Sequence, residues 1–75
     1  MVYPNPTEGN FSIKFENIQE FLTVRLLSLS GQVILDKTFL YSNLIDLEID
    51  QANGIYLLEI IDGKDNKAVF NLFVK

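Results

Sequence analysis

Between Leu44 and Asp50 the chain alternates almost without fault. Ile45, Leu47 and Ile49 fall on one side, and Asp46, Glu48 and Asp50 on the other. A period of two suits a half-buried β-strand, because successive side chains leave opposite faces of the backbone. The same pattern runs through Phe11, Ile13 and Phe15 with Ser12 and Lys14 between them, and through Val24 and Leu26 against Thr23 and Arg25. No window longer than a few residues favours a 3.6 period, so the chain has no long amphipathic helix to build on. Leu29 is out of phase with Leu26, and a β-bulge near Leu27-Ser28 restores the alternation.

Turn chemistry separates these runs. Pro4 and Pro6 have no N–H to give a ladder, so the first residues belong to a sheet edge or a linker, and Thr7-Glu8-Gly9-Asn10 then turns. Asn17 to Glu20 and Tyr41-Ser42-Asn43 read as polar connections. Ser30-Gly31 reads as a hairpin turn, with Gly31 supplying a positive φ. Asn53-Gly54 is the dipeptide of a type I′ hairpin between Leu44–Asp50 and Ile55–Ile61, and Asp62 to Asn66 turns into a last strand over Ala68 to Val74. About six or seven short strands with turns every ~8–12 residues predict an all-β, antiparallel β-sandwich. Residues 1–75 form a single domain.

A core this small supplies only ~3–5 kcal/mol of net stability. With no Cys and no His, the chain has neither disulfides nor the usual metal staple, so its 48% hydrophobic content must hold the fold by packing. Ten acids against six bases give a net charge of −4, and the bases are scattered. Nucleic acid and anionic membranes require a basic footprint, so neither is an expected partner. No apolar run approaches the ~20 residues of a membrane helix. Met1-Val2-Tyr3-Pro4 lacks the basic-then-apolar order of a signal peptide.

The last two strands lack a polar face. Tyr56, Leu58 and Ile60 oppose Ile55, Leu57, Glu59 and Ile61, while Ala68, Phe70, Leu72 and Val74 oppose Val69, Asn71, Phe73 and Lys75. Such strands are normally covered on both sides, which a small two-layer sandwich cannot do everywhere. The excess predicts an exposed apolar strip drawn from Ile55, Leu57, Val69 and Phe73, and such strips mark binding surfaces. The competing reading is ordinary core, or an interface with the rest of a larger chain.

Catalytic candidates are few. Without Cys or His the common nucleophile–base pairs and imidazole or thiolate metal sites are excluded. Asp46, Glu48 and Asp50 are spaced for a carboxylate pair or a hard cation, but read better as a solvated strand face. Asp62-Gly63-Lys64-Asp65-Asn66 lacks the spacing of a calcium loop and reads as a turn. Tyr3, Tyr41 and Tyr56 could stack on a sugar, yet glycan platforms lean on Trp and this chain has none. No catalytic residue, metal or cofactor is expected.

Three stretches in order, VYPNPTEGNFSI (Val2 to Ile13), VRLLSLSGQVI (Val24 to Ile34) and NGIYLLEIIDG (Asn53 to Gly63), carry a resemblance. The chain resembles the type A C-terminal sorting domain of the type IX secretion system of the Bacteroidetes, over essentially all 75 residues. The matching positions are Pro4, Asn5, Pro6 and Gly9, then Gly31, then Gly54, Ile55 and Tyr56. The resemblance implies an Ig-like sandwich at the end of a secreted protein, with a cargo domain upstream. It implies passage through the periplasm, recognition by an outer-membrane translocon and a shuttle protein, and removal by a sorting peptidase at the cell surface. Met1 is then expected to be an added start residue, with the natural chain extending upstream of Val2. Ala52 stands where the family often has Pro, and Phe70-Asn71 where many members carry lysines, which weakens a basic tail as the recognised feature.

An edge strand at the end of such a domain can extend a partner's sheet. The expected docking site is Ala68 to Lys75 with the outer face of Ile55 to Ile61, above all Ile55, Leu57, Val69, Phe73, Val74 and Lys75. The same edge can pair with a second copy of the chain. The alternative function is an accessory sandwich that binds glycan or another protein.

Overall fold

The computed structural model describes residues 1–75. It contains five strands and no helix: β1 (Val2–Tyr3), β2 (Asn10–Leu27), β3 (Val33–Glu48), β4 (Gly54–Asp62) and β5 (Lys67–Val74). All strand pairs are antiparallel, in the order β1-β2-β4-β5 with β3 on the other side of β2. The all-β, antiparallel expectation holds, but the strands are fewer and longer than expected. Phe11–Phe15 and Leu22–Leu27 are parts of one 18-residue strand, and Val33–Leu40 and Leu44–Glu48 are parts of one 16-residue strand. Ile49 and Asp50, expected in the strand, lie past its end.

The polar stretches read as connections are bends. Between Lys14 and Gln19 the β2–β3 register jumps, with partners Leu44 and Ser42, and Tyr41 takes a φ of 49° beside the jump. A long ribbon bent at its middle contributes to two sheet halves. One half holds β1, the start of β2 and the end of β3; the other holds the start of β3, the end of β2, β4 and β5. Counted as segments, three face four, which is compatible with the expected sandwich although the sheet is one curled surface.

The two halves close on one cluster. Phe11, Ile13, Ile45 and Leu47 come from the first half, and Leu22, Val24, Leu26, Leu58, Ile60, Leu72 and Val74 from the second. These are the inward positions of the alternation. A register irregularity lies at Leu26–Leu27, but its extra residue is Ile34 of β3, because Leu26 pairs Leu35 and Leu27 pairs Val33. Leu29 lies past the end of β2 and is exposed, so no bulge near Leu27-Ser28 rephases it. Gly31 has φ 93° in the β2–β3 turn, where the Ser28 amide donates to the Gln32 carbonyl at 2.9 Å.

The Asn53-Gly54 hairpin is not formed. The strands flanking it, the end of β3 and β4, lie in opposite halves and do not pair. Asn53 has no positive φ, as a type I′ turn demands, and Gly54 opens β4 with φ 159°. The loop crosses from one half to the other, and the Tyr56 hydroxyl braces it by donating to the Ala52 carbonyl at 2.7 Å.

Asp62 organises the β4–β5 turn. Its Oδ1 accepts from the amides of Lys64 at 2.8 Å and Asn66 at 2.9 Å, and its Oδ2 from Asn66 Nδ2 at 3.1 Å. The Asn66 side-chain bond, then the Asn66 and Lys64 amides, hold the Asp62 carboxyl below its usual 3.8. A lowered folded pKa contributes stability above the unfolded value, and that contribution disappears as pH falls through the folded value. Asp62→Ala is therefore expected to melt below the parent protein at neutral pH, and the two melting temperatures to converge as pH drops below 3.8. A gap that stays constant into acid would show that charge plays no part in the turn.

Candidate recognition surface

β5 is a sheet edge: β4 pairs one side of it and no strand pairs the other. Part of that open side is nevertheless occupied. Asn5 Nδ2 donates to the Asn71 carbonyl at 2.8 Å, and its Oδ1 accepts from the Phe73 amide at 2.9 Å. The Thr7 amide donates to the Phe73 carbonyl at 2.8 Å, and the Lys75 amide donates to the Thr7 carbonyl at 2.9 Å. Asn5 and Thr7 thus act as a short strand along the end of β5, and Thr7 makes a parallel bridge with Val74.

These contacts show that odd-numbered residues of β5 aim their backbone groups outward. By the alternation of an antiparallel ladder, the Lys67 and Val69 backbone and the Asn71 N–H form the uncovered stretch. The last residues, expected to be the accessible end, are the covered ones.

The candidate side chains divide accordingly. On the outer face, Ile55 and Phe73 are direct cross-strand partners and both are exposed. Val69 is 52% exposed, but Asn71 separates it from Phe73 along β5. Leu57 is half-buried opposite Asn71. A polar network crosses the same face: Arg25 reaches Asp36 at 3.4 Å and Glu59 at 3.7 Å, and Lys67 reaches Glu59 at 2.8 Å. The strip predicted from Ile55, Leu57, Val69 and Phe73 is therefore two apolar patches with polar residues between. Val74 is a correction: its side chain points into the core, because even positions of β5 face inward. Lys75 is exposed, with its amide held by Thr7.

Phe70 was missed as a site residue. It shares the inward phase of Leu72 and Val74, yet is 37% exposed. Its position in an apolar strand was the available signal, but the sequence alone placed it in the core. Thr7 was also missed. It is 1% exposed, and its hydroxyl donates to the Asn10 carbonyl at 2.7 Å and accepts from the Gly9 amide at 3.0 Å.

The other open edge of the four-stranded half is the start of β3. It carries Asp36 and an exposed Lys37, whose partner is the core residue Val24, so a charge sits at an inward-phase position. Inward charges and bulges are how edges are kept from pairing. The free stretch of β5 has only Lys67 before Ala68-Val69-Phe70.

The remaining candidates stay separate. Tyr3 ends β1, Tyr41 lies at the bend of β3, and Tyr56 lies in β4 with its hydroxyl committed to Ala52. Asp46 accepts a hydrogen bond from the Ser12 hydroxyl across the strand pair. No group of three acidic residues is placed to hold a metal ion. No helix is long and apolar enough to cross a membrane.

No curated protein matches the chain in a sequence comparison. The family model for the secretion system C-terminal sorting domain matches residues 1–75. That family is a sorting signal and not a kind of enzyme, and it implies an upstream cargo and a secreted protein in transit to the surface or the extracellular space. With every residue covered by the match, the chain belongs to the C-terminal sorting domains of the type IX secretion system.

Proposed function

We propose that this domain is read by the outer-membrane translocon and its shuttle protein through β5, so that the upstream cargo crosses the outer membrane before a sorting peptidase removes the signal. The observation that carries this reading is the uncovered edge from Lys67 to Asn71, flanked by exposed Val69, Phe70 and the Ile55–Phe73 pair. An unguarded strand edge with apolar flanks supplies both parts of β-augmentation: backbone hydrogen bonds for affinity and side-chain patches for specificity. The partly covered end leaves a defined register for the partner strand.

The test is a reporter with a Sec signal fused to residues 2–75 and expressed in a type IX-competent cell. It is expected at the cell surface. Ile55→Ser with Phe73→Ser alters two exposed positions and should leave the melting temperature nearly unchanged, since neither belongs to the buried cluster. The same reporter carrying the pair is expected to accumulate in the periplasm. Secretion of the double variant at the parent level would remove the Ile55–Phe73 patch from the recognition surface.

A further inference from the structure

β1 does not end for a geometric reason at its first residue. Val2 and Tyr3 are in register with Ile13 and Ser12. One step further out, the Met1 amino group donates to the Lys14 carbonyl at 2.8 Å, and the Lys14 amide donates to the Met1 carbonyl at 2.8 Å. The ladder is thus complete at position 1 and points along β2. There, Phe15 to Ile18 have no partner on β3, and β4 pairs β2 only from Leu22 onward.

The side chains beyond that point also lack cover. A cleft of about 230 Å³ opens beside β2, lined by Phe15, Leu22, Ile60 and Ala68 and rimmed by Asp62 and Lys67. All four lining apolar residues are at inward-phase positions. Phe70, next in that phase after Ala68, is also exposed.

We propose that the residues joining the domain to its cargo continue β1 along β2 and close this mouth. The proposal rests on the membership in a C-terminal sorting family, which implies a chain upstream. The register assigns the positions. The residue directly before position 1 lies opposite Phe15, in the inward phase of Val2 and Ile13, and an apolar side chain there would enter the cleft. The second residue before position 1 lies opposite Glu16 and completes the next hydrogen-bonded pair after Met1–Lys14. The junction is therefore part of the folded signal, and the flexible tether begins further upstream.

Hydrogen exchange followed by mass spectrometry on the full-length secreted protein and on residues 1–75 tests this. The Glu16 amide, which would donate to the carbonyl of the second upstream residue, is expected to exchange about tenfold more slowly in the longer chain, the protection an ordinary added hydrogen bond supplies. The edge segment Val33 to Phe39 should exchange equally in both. A chain that starts at the residue directly before position 1 lacks the second upstream carbonyl and should return the Glu16 amide to the rate of the short chain. Equal rates in the two parent chains would overturn the proposal. So would Glu16 protection that survives this truncation, or protection of the short chain that grows with its concentration and so assigns the edge to a second copy. Secretion of the reporter is read separately, so loss of the sorting function and loss of this junction give different results.

Discussion

Gly9→Ala is expected to leave the domain largely unfolded at room temperature, seen as a collapse of the urea midpoint followed by circular dichroism. Two independent penalties meet at this residue. Its φ of +127° lies where L-residues are strained, at a cost of ~1–3 kcal/mol. A methyl group there would stand 2.8 Å from the Ile49 carbonyl oxygen, and overpacking of this kind adds ~1–3 kcal/mol. The backbone has little room to relax. The Gly9 carbonyl accepts from the Ile49 amide at 2.8 Å, and the Gly9 amide is held by Thr7. Together these costs reach ~2–6 kcal/mol, comparable to the ~3–5 kcal/mol that a core of this size supplies. Gly31→Ala is the useful comparison, because its φ is also positive at 93° but no atom lies within 4 Å of the added carbon. A Gly9→Ala midpoint no lower than that of Gly31→Ala would show that the Ile49 contact yields without cost.

Thr7→Val is expected to destabilise the fold by about 1–3 kcal/mol, because it leaves the buried Gly9 N–H without its partner and removes a part-buried bond to the Asn10 carbonyl. Valine keeps the shape and the β-branch but has no hydroxyl. Thr7→Ser is the control: it keeps both bonds and removes only a methyl, worth about 0.8 kcal/mol. The loss should also be local in exchange experiments, since the Thr7 backbone pins Phe73 and Lys75 at the end of β5. Equal destabilisation by valine and serine would mean the methyl, not the hydroxyl, matters.

The legible part of this fold is the part set by neighbours in sequence. Alternation identified the inward residues Phe11, Ile13, Val24, Leu26, Ile45 and Leu47, all of which lie in the core. The phase slip at Leu29 marks the end of β2, and the bulge beside it belongs to Ile34 of the partner strand. What the alternation does not encode is whether a polar stretch between two runs leaves the sheet or stays in it. Asn17–Glu20 and Tyr41–Asn43 look like loops by composition, yet they remain extended because the two strands bend together. Asn53-Gly54 failed for a related reason. A hairpin needs its flanking strands to be partners, and β3 had already been taken into the other half by its pairing with β2.

The candidate surface was less legible. The sequence located the excess of apolar residues in β4 and β5 but not which of them would be covered. The side-chain bonds of Asn5 reach residues 66 and 68 positions away, so nothing local to Asn5 or Phe73 announces that they meet. Val74 is buried by the phase it shares with Leu72, which is local, whereas the burial of Thr7 depends on its contacts with Phe73 and Lys75 far along the chain.

The Asn5–Thr7 clasp on β5 has a consequence for the timing of synthesis. The side chain of Asn5 and the backbone of Thr7 find their partners only among the last residues, so this clasp cannot form while those residues remain inside the ribosome. A chain whose translation stops before β5 therefore lacks the clasp, and with it the closed form of the domain.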